Sequence, residues 1–360
     1  MLSRLWRWAV RQSPRAAPTA STVPEPRAAT GAAPPRAPDG PLARAPAESA
    51  TGLGAPDFFD LLAEQLGPPP LPAPADEQAI SELVMMVVDY VTRKKVDPPV
   101  VPALVPRVLA LVDEPEVDLV KLTHVIQQDQ AISAKLLSVA NSPLFTTGVE
   151  VKTVRQAISY LGTEQVAQVA IGLACKSSFE SERSPFAVRW QRLFTHGMTC
   201  AFAAAQLSKP RGYAAQEAAF LGGLFHDVGK AVALRAVEAL ATSGRLPTVS
   251  EPVLDEALFR IHAFPGEEFY EKWTLPASLM ELCARHHQLE EVESSDSTIF
   301  VVALASSFDT LLAGLPSEQR ESLAEARVCA HKLGLSDASL RKAYAELRTL
   351  GERTRRMFSA

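Results

Sequence analysis

The sequence predicts an all-α body carried behind a disordered tail rich in proline and alanine. From about residue 76 onward, apolar residues recur at three- and four-residue steps, with no run of the alternation that a half-buried strand requires. Of the 28 prolines, 15 precede residue 77, in company with Ala, Gly, Ser and Thr. That composition buries too little apolar surface to offset the entropy of ordering. With 360 residues, 47% apolar and 21% charged, the chain has room for two domains, or for one large domain with appendages.

The first element lies in residues 1–15. At 100° per residue, Leu2, Leu5, Trp6, Ala9 and Val10 fall on one side of a helix, and Arg4, Arg7, Arg11 and Arg15 on the other. Arg4, Trp6, Arg7, Trp8 and Arg11 are candidate contacts to an anionic membrane surface or to the acidic groove of a partner. A frayed terminus or an organellar presequence would have the same composition. Residues 16–75 read as linker, interrupted near 57–66 by a short helix with Phe58, Leu61, Leu62 and Phe59 on one side, suited to packing in cis or on another protein.

In the body, a leading helix over 76–97 carries Ile80, Leu83, Val84, Val87, Val88 and Val91. Pro102 opens the next, with Val105, Val108, Leu109 and Val112 inward, and Leu119, Leu122, Val125 and Ile126 mark a third. Asp129 is a natural N-cap for 131–140, which Asn141-Ser142-Pro143 stops. Val154, Ala157, Ile158 and Leu161 follow, and Gly162-Thr163 breaks and recaps the chain into Val166, Val169, Ala170 and Leu173. Residues 313–360 predict two or three helices, one starting at Ser336-Asp337 and running through Leu340, Ala343, Tyr344 and Leu347. Arg353, Arg355 and Arg356 complement its dipole.

Composition also excludes functions. The formal net charge is −5, and residues 1–50 hold seven arginines against three acids, so the remainder is more acidic still. Binding of nucleic acid through counterion release is not expected. Cys175, Cys200, Cys283 and Cys329 form no CxxC and read as reduced, buried thiols, neither a disulfide framework nor a zinc ribbon. No uninterrupted apolar run is long enough to span a bilayer, and the first apolar run is too short and too broken by arginine for a secretory signal. The expected location is the cytoplasm, peripheral to the inner face of the membrane if residues 1–15 bind lipid.

The chemistry concentrates in the histidines. Seven occur, and five of them (196, 226, 262, 286 and 287) lie in about a quarter of the chain. Four helical segments each bring one or two imidazoles, and bundle cores are where such sets converge on a metal. Asp227 supplies a hard ligand able to bridge two ions, and Lys230, one turn on, can meet a phosphate. The candidate set is therefore His196, His226, Asp227, His262, His286 and His287, for a divalent metal such as Mn, Fe, Mg or Zn. Any one of these histidines alone would more often be an ordinary hydrogen-bonded residue. On a continuous helix His286 and His287 would also point about 100° apart.

Several segments resemble a known family in order. Ile126-Gln-Gln-Asp129-Gln-Ala-Ile-Ser-Ala-Lys-Leu-Leu-Ser-Val-Ala-Asn141-Ser142-Pro-Leu-Phe145 and Val154-Arg-Gln-Ala157-Ile158-Ser-Tyr-Leu161-Gly162 come first. His196, Ala219-Phe-Leu-Gly-Gly-Leu-Phe-His-Asp-Val-Gly-Lys230, His262-Ala-Phe-Pro-Gly266, Trp273-Thr-Leu-Pro276 and His286-His287 continue the succession. Over about residues 98–312 the chain resembles the HDOD (HD-related output domain) family of bacterial signalling proteins, within the HD phosphohydrolase superfamily. The resemblance implies an amino-terminal helical lobe packed on an HD-like lobe, and a regulatory role toward signalling partners. More distantly the chain is similar to the HD-GYP cyclic di-GMP phosphodiesterases, in whose pattern the six candidate residues fall at metal-ligand positions.

Two departures bear on activity. Where the superfamily carries a later aspartate, the chain has Ser306, with Asp309 one turn away. After His287 there is no Gly-Tyr-Pro element but an acidic loop, 288–296, which disfavours a polyanion there. A two-metal hydrolase needs anionic ligands to hold its ions about 3.5–4 Å apart. The sequence is thus expected to encode a non-catalytic signalling module that acts through protein–protein contact, with a vestigial or single-metal site. One alternative is a metal-dependent phosphohydrolase or cyclic di-nucleotide phosphodiesterase using Lys230. Another is a localisation adaptor tethered through residues 1–15.

Overall fold

In a computed structural model of the chain, the residues described are 57–66, 74–94, 96, 102–112, 114, 116–142, 150–179, 184–211, 213–262, 277–292, 297–314 and 316–358. The basic segment 1–15, with Arg4, Trp6, Arg7, Trp8 and Arg11, and the linker as far as residue 56 lie outside them, as do 263–276 and 293–296. Among the described residues there is no strand. No helix there is long and apolar enough to cross a membrane.

Fifteen α-helices follow in order among these residues. They are α1 (Phe58–Leu66), α2 (Pro74–Lys94), α3 (Leu104–Val112), α4 (Leu119–Gln127), α5 (Gln130–Ala140), α6 (Val154–Leu161), α7 (Thr163–Phe179) and α8 (Ala187–Ser208). Then come α9 (Tyr213–Phe225), α10 (Val228–Thr242), α11 (Glu251–Ile261), α12 (Ala277–Arg285), α13 (Ser297–Ala313), α14 (Pro316–Leu333) and α15 (Asp337–Phe358). Pro56–Ala360 makes one compact unit.

Helices α3–α7 pack on one another as a first lobe, and α7 leans on α8. Its joints follow from local chemistry. The Asp129 carboxylate accepts from the Ile132 N–H at 3.0 Å and starts α5. The Asn141 side chain both donates to the Val151 carbonyl and accepts from the Val151 N–H, each at 2.7 Å, so one amide ties the two ends of the segment between α5 and α6. Thr153 and Gln156 form a reciprocal capping box on α6, and Gly162, at φ +86°, turns α6 into α7.

The second lobe is built around α8, which touches α7, α9, α10, α13 and α15. Residues 197–205 of α8 are buried without exception. The tightest crossing is with α9, and glycine makes it so: a Cβ on Gly223 would lie 2.6 Å from the backbone N and Cα of Ala201, and one on Gly197 would lie 3.0 Å from the Leu224 carbonyl oxygen. Backbone meets backbone here, which fixes the relative height of the two helices that carry His196 and His226.

Helix α2 precedes the first lobe in sequence yet packs on α10 and α11 of the second. Its expected stripe, Ile80, Leu83, Val84, Val87, Val88 and Val91, is entirely buried, each such side chain contributing about 1.5–3 kcal/mol. Arg260 on α11 holds Glu77 on α2 with two N–H donors at 2.5 and 2.9 Å. The guanidinium holds the Glu77 carboxyl below the usual range. Helix α1 packs on α14 and α15. It buries Phe58, Phe59 and Leu62. Leu61 stays half-exposed and Phe59 takes its place. Phe58 meets Phe308 and Tyr344 edge to face, and Arg327 grips Asp57 and Asp60 at 2.8 Å each. The carboxy-terminal stretch forms two helices, and both pack back onto α13.

Replacing Gly223 by alanine is expected to cost about 1–3 kcal/mol through overpacking against α8. The cost is read as a lower denaturant midpoint; an unchanged midpoint would contradict the close crossing.

Candidate metal centre

Four places in the second lobe deliver the chemistry. His196 lies mid-way along α8, and Cys200 follows one turn later on the same face. Helix α9 ends at Phe225, so His226 and Asp227 occupy the turn into α10. The Asp227 side chain makes no capping bond to α10 and is directed at the imidazoles instead. Lys230 follows at i+3, with Nζ 2.9 Å from Asp227 Oδ2. His262 closes α11. His286 and His287 follow the end of α12 at Arg285. This corrects the expectation of a helix running through both: the turn releases them from the helical 100° offset, and their ring centroids lie 4.1 Å apart. Gly229 is required between these parts, since a Cβ there would lie 1.7 Å from the His262 carbonyl oxygen.

The rings share one orientation. His226 Nδ1 donates to the Gly223 carbonyl at 2.8 Å and His286 Nδ1 to the Cys283 carbonyl at 2.9 Å, while His262 Nδ1 donates to the Phe259 carbonyl, in each case three residues back. Carboxylates take the other two: His196 Nδ1 bonds Asp309 Oδ2 at 2.7 Å, and His287 Nδ1 bonds Glu325 on α14. A backbone carbonyl can only accept, so the proton of His226, His262 and His286 is held on Nδ1 and Nε2 is left as a bare lone pair.

The inner nitrogens of these three rings, with that of His196, surround one carboxylate. Asp227 oxygens lie 3.4 Å from His196 Nε2, 3.6 Å from His226 Nε2, 3.7 Å from His262 Nε2 and 3.8 Å from His286 Nε2. His262, His286 and His287 each offer a ring nitrogen within 4.8 Å of the others. Both Asp227 oxygens and the Nε2 atoms of His262 and His286 are buried with no hydrogen-bond partner, Lys230 being near enough for an ion pair but out of alignment. Acceptors facing acceptors in a dry pocket are unfavourable unless a cation sits among them. Four orphaned buried atoms, donated by imidazole and carboxylate, fit a divalent metal ion.

Electrostatics agree with that charge arrangement. Burial, reinforced by His196 and Lys230 and only partly opposed by Asp227, pushes the His226 pKa down to about 4. Burial and the neighbouring His287 hold His262 and His286 well below the ordinary range, so all three are neutral and able to ligate. Burial is the largest single influence on Asp227 and would raise its carboxyl, but Lys230 and the surrounding imidazoles of His226, His262 and His196 together outweigh it and hold the carboxyl well below its ordinary range. His196 and His287 go the other way. Burial lowers them, yet Cys200 and Asp309 raise the first, and Glu325 raises the second.

The structure brings all six sequence candidates together, with Lys230 at their edge. Two questions raised by the sequence are answered. Ser306 turns its hydroxyl into the pocket, 3.1 Å from His226 Nε2 and 3.4 Å from His196 Nε2. Asp309 does not take the place of the carboxylate missing at 306: it is spent on the outer nitrogen of His196. Cys200 and Glu325 were missed. Cys200 was legible as the i+4 neighbour of His196, whereas Glu325, 38 residues beyond His287, had no local signal. The centre opens through His196, Asp227, Lys230 and Asp309 onto a cleft of about 630 Å³. Its rim carries Arg189, Arg192 and Arg355 beside Asp255 and Glu318.

Comparison with known proteins places this architecture. A family model described as the HDOD domain matches residues 99–289. A solved candidate metal-dependent phosphohydrolase from Shewanella amazonensis is 21% identical, with a TM-score of 0.53 over 76% of this chain and 99% of its own. An HDOD domain protein of unknown function from Geobacter sulfurreducens is 20% identical, with a TM-score of 0.50 over 75% and 99%. A candidate signal transduction protein from Marinobacter aquaeolei is 17% identical, with a TM-score of 0.54 over 78% and 66%. At these identities the likeness extends to the fold. An uncharacterised protein of Treponema pallidum is 23% identical over 234 residues, 62% of this chain and 44% of the relative, so the chain spans less than half of that relative's length.

Removing the ammonium paired with Asp227 should expose the strain in the centre. Lys230→Met leaves a buried carboxylate among lone pairs and is expected to cost about 3 kcal/mol in chelator-treated protein. Saturating divalent metal should recover most of that loss in thermal unfolding. Equal destabilisation with and without metal would contradict the assignment.

Proposed function

The chain belongs to the HDOD domain family, and from that premise we propose that it is a non-catalytic signalling protein whose HD-type centre holds a single divalent ion and whose helical surface engages another signalling protein. One observation carries the proposal: a neutral Ser306 hydroxyl faces His196 and His226 while Asp309 and Glu325 are engaged on the outer nitrogens of His196 and His287, leaving Asp227, among the described residues, as the carboxylate that faces the inner nitrogens. Two ions about 3.5–4 Å apart repel strongly, and anionic ligands between and beside them are what make the pair tenable. With one carboxylate, the second ion is weakly retained. A bound ion would supply fixed positive charge to the centre. The protein's own part is to hold neutral Nε2 donors in place and to keep Asp227 ionised beside Lys230.

A second reading has its own support. The cleft reaches Asp227 and Lys230, and an ammonium at that edge suits a phosphate oxygen, as a phosphohydrolase or cyclic di-nucleotide phosphodiesterase would need. It ranks lower because Lys230 is already committed to Asp227, and because acidic Asp255 and Glu318 share the rim. Contact of residues 1–15 with an anionic membrane or an acidic partner, and residence in the cytoplasm, remain part of the proposal on sequence grounds.

Protein purified without chelators is expected to hold about one divalent ion per chain and to leave a nucleotide panel, cyclic di-GMP included, unhydrolysed with Mn²⁺ or Fe²⁺. Ser306→Asp should raise the stoichiometry toward two. Two ions in the unaltered protein, or turnover, would replace this proposal with the phosphohydrolase.

A further inference from the structure

We infer that Cys200 is a metal ligand, and that with His196, His226 and Asp227 it closes a four-donor site for a thiophilic divalent ion, zinc above all. The inference rests on the single-ion proposal and says which end of the centre the ion takes and why.

The spacing of the donors is the first support. Cys200 Sγ lies against the His196 ring, 3.7 Å from Nε2 and 3.8 Å from Nδ1, and Sγ, a nitrogen of His196 and a nitrogen of His226 fall within 4.8 Å of one another. His196 Nε2 is 3.2 Å from His226 Nε2 and 3.4 Å from Asp227 Oδ2, which is 3.6 Å from His226 Nε2. Tetrahedral zinc, with bonds of about 2.0–2.2 Å to nitrogen and oxygen and about 2.3 Å to sulfur, sets its ligand atoms about 3.3–3.6 Å apart. Four of the six edges thus lie within a few tenths of an ångström of coordination spacing, and the Cys200–His226 edge is within 4.8 Å, on backbone held by the α8–α9 crossing.

A second observation points to a ligand independently. Asp227 Oδ2 is buried with no aligned hydrogen-bond donor and faces His196 and His226, with the Lys230 ammonium as its ion-pair partner at 2.9 Å, while Oδ1 faces His262 and His286. Cys200 is also set apart from the other thiols. Cys283 donates to the Phe225 carbonyl at 3.2 Å. Cys175 and Cys329 lie buried in the apolar clusters, and among the described residues neither they nor Cys283 belong to any group able to hold a metal.

Charge explains why sulfur belongs here. Ser306 brings no anion to His196 and His226, and a thiolate at Cys200 does. One carboxylate and one thiolate balance a divalent cation, with two neutral imidazoles completing the sphere. Binding converts the thiol to a thiolate and releases its proton to solvent. A sulfur donor favours zinc over magnesium, calcium or manganese. Four protein ligands also leave a tetrahedral ion no open position, as in structural rather than catalytic sites. Cys200 therefore explains the loss of the superfamily's carboxylate without loss of the metal.

Cobalt(II) reports the sulfur directly. Full-length protein titrated with Co²⁺ should show a thiolate-to-cobalt charge-transfer absorption in the near ultraviolet, saturating at one equivalent and displaced by Zn²⁺. Cys200→Ser, which keeps the volume, and Cys200→Ala should both lose the band and bind zinc more weakly by at least the roughly 10–100-fold that loss of an outer partner of a ligand costs. Cobalt bound without the band in unaltered protein, or a band that survives in Cys200→Ser, would overturn Cys200 as ligand and leave the single-ion proposal standing. No cobalt or zinc bound at all would overturn both.

Discussion

The second lobe depends on where five histidine protons are placed. Each ring gives its Nδ1 proton outward, three of them to the carbonyl of the residue three positions back and two to Asp309 and Glu325. The inner nitrogens of four rings then face a single buried carboxylate at 3.4–3.8 Å. No rearrangement of protons among His226, His262 and His286 satisfies that pocket, because a carbonyl cannot return a proton. The arrangement is stable only with positive charge in it, partly from Lys230 and more fully from a bound cation.

Everything else in the lobe keeps those nitrogens in place. Glycine at 197 and 223 lets α8 and α9 meet backbone to backbone, and glycine at 229 lets the His262 carbonyl approach α10. Helix α14, beyond the residues that match the family model, contributes Glu325 to His287. Helix α2 and helix α1 pack from outside, on α10–α11 and α14–α15 respectively. The elements that bracket the family's segment therefore brace the centre instead of forming separate appendages.

Much of this was legible in the sequence, and the limits are physical. Apolar spacing located the α2 stripe, and Asp129 marked the start of α5, because both signals are local. The histidine set could be named because the imidazole is a rare side chain and five occur close together. Their convergence with Asp227 needed coordinates. Ser306 was visible as a departure, but whether Asp309 would replace it depended on the rotation of α13, which no periodicity specifies. His286 and His287 were expected on one helix, and the turn after Arg285 is what lets both rings serve the same place. Cys200 reads in the sequence as a buried thiol like the other three, and its i+4 spacing from His196 is its one local signal.

The central claim concerns proton positions, so the most direct measurement is the long-range ¹H–¹⁵N NMR spectrum of the histidine side chains in chelator-treated protein. On that claim, His226, His262 and His286 are expected to be neutral and to carry their proton on Nδ1, with Nε2 bare and that of His226 shifting on addition of Zn²⁺. Protons on Nε2 of those three rings would contradict it, because the pocket would then hold donors already paired with Asp227 and would have no need of a cation.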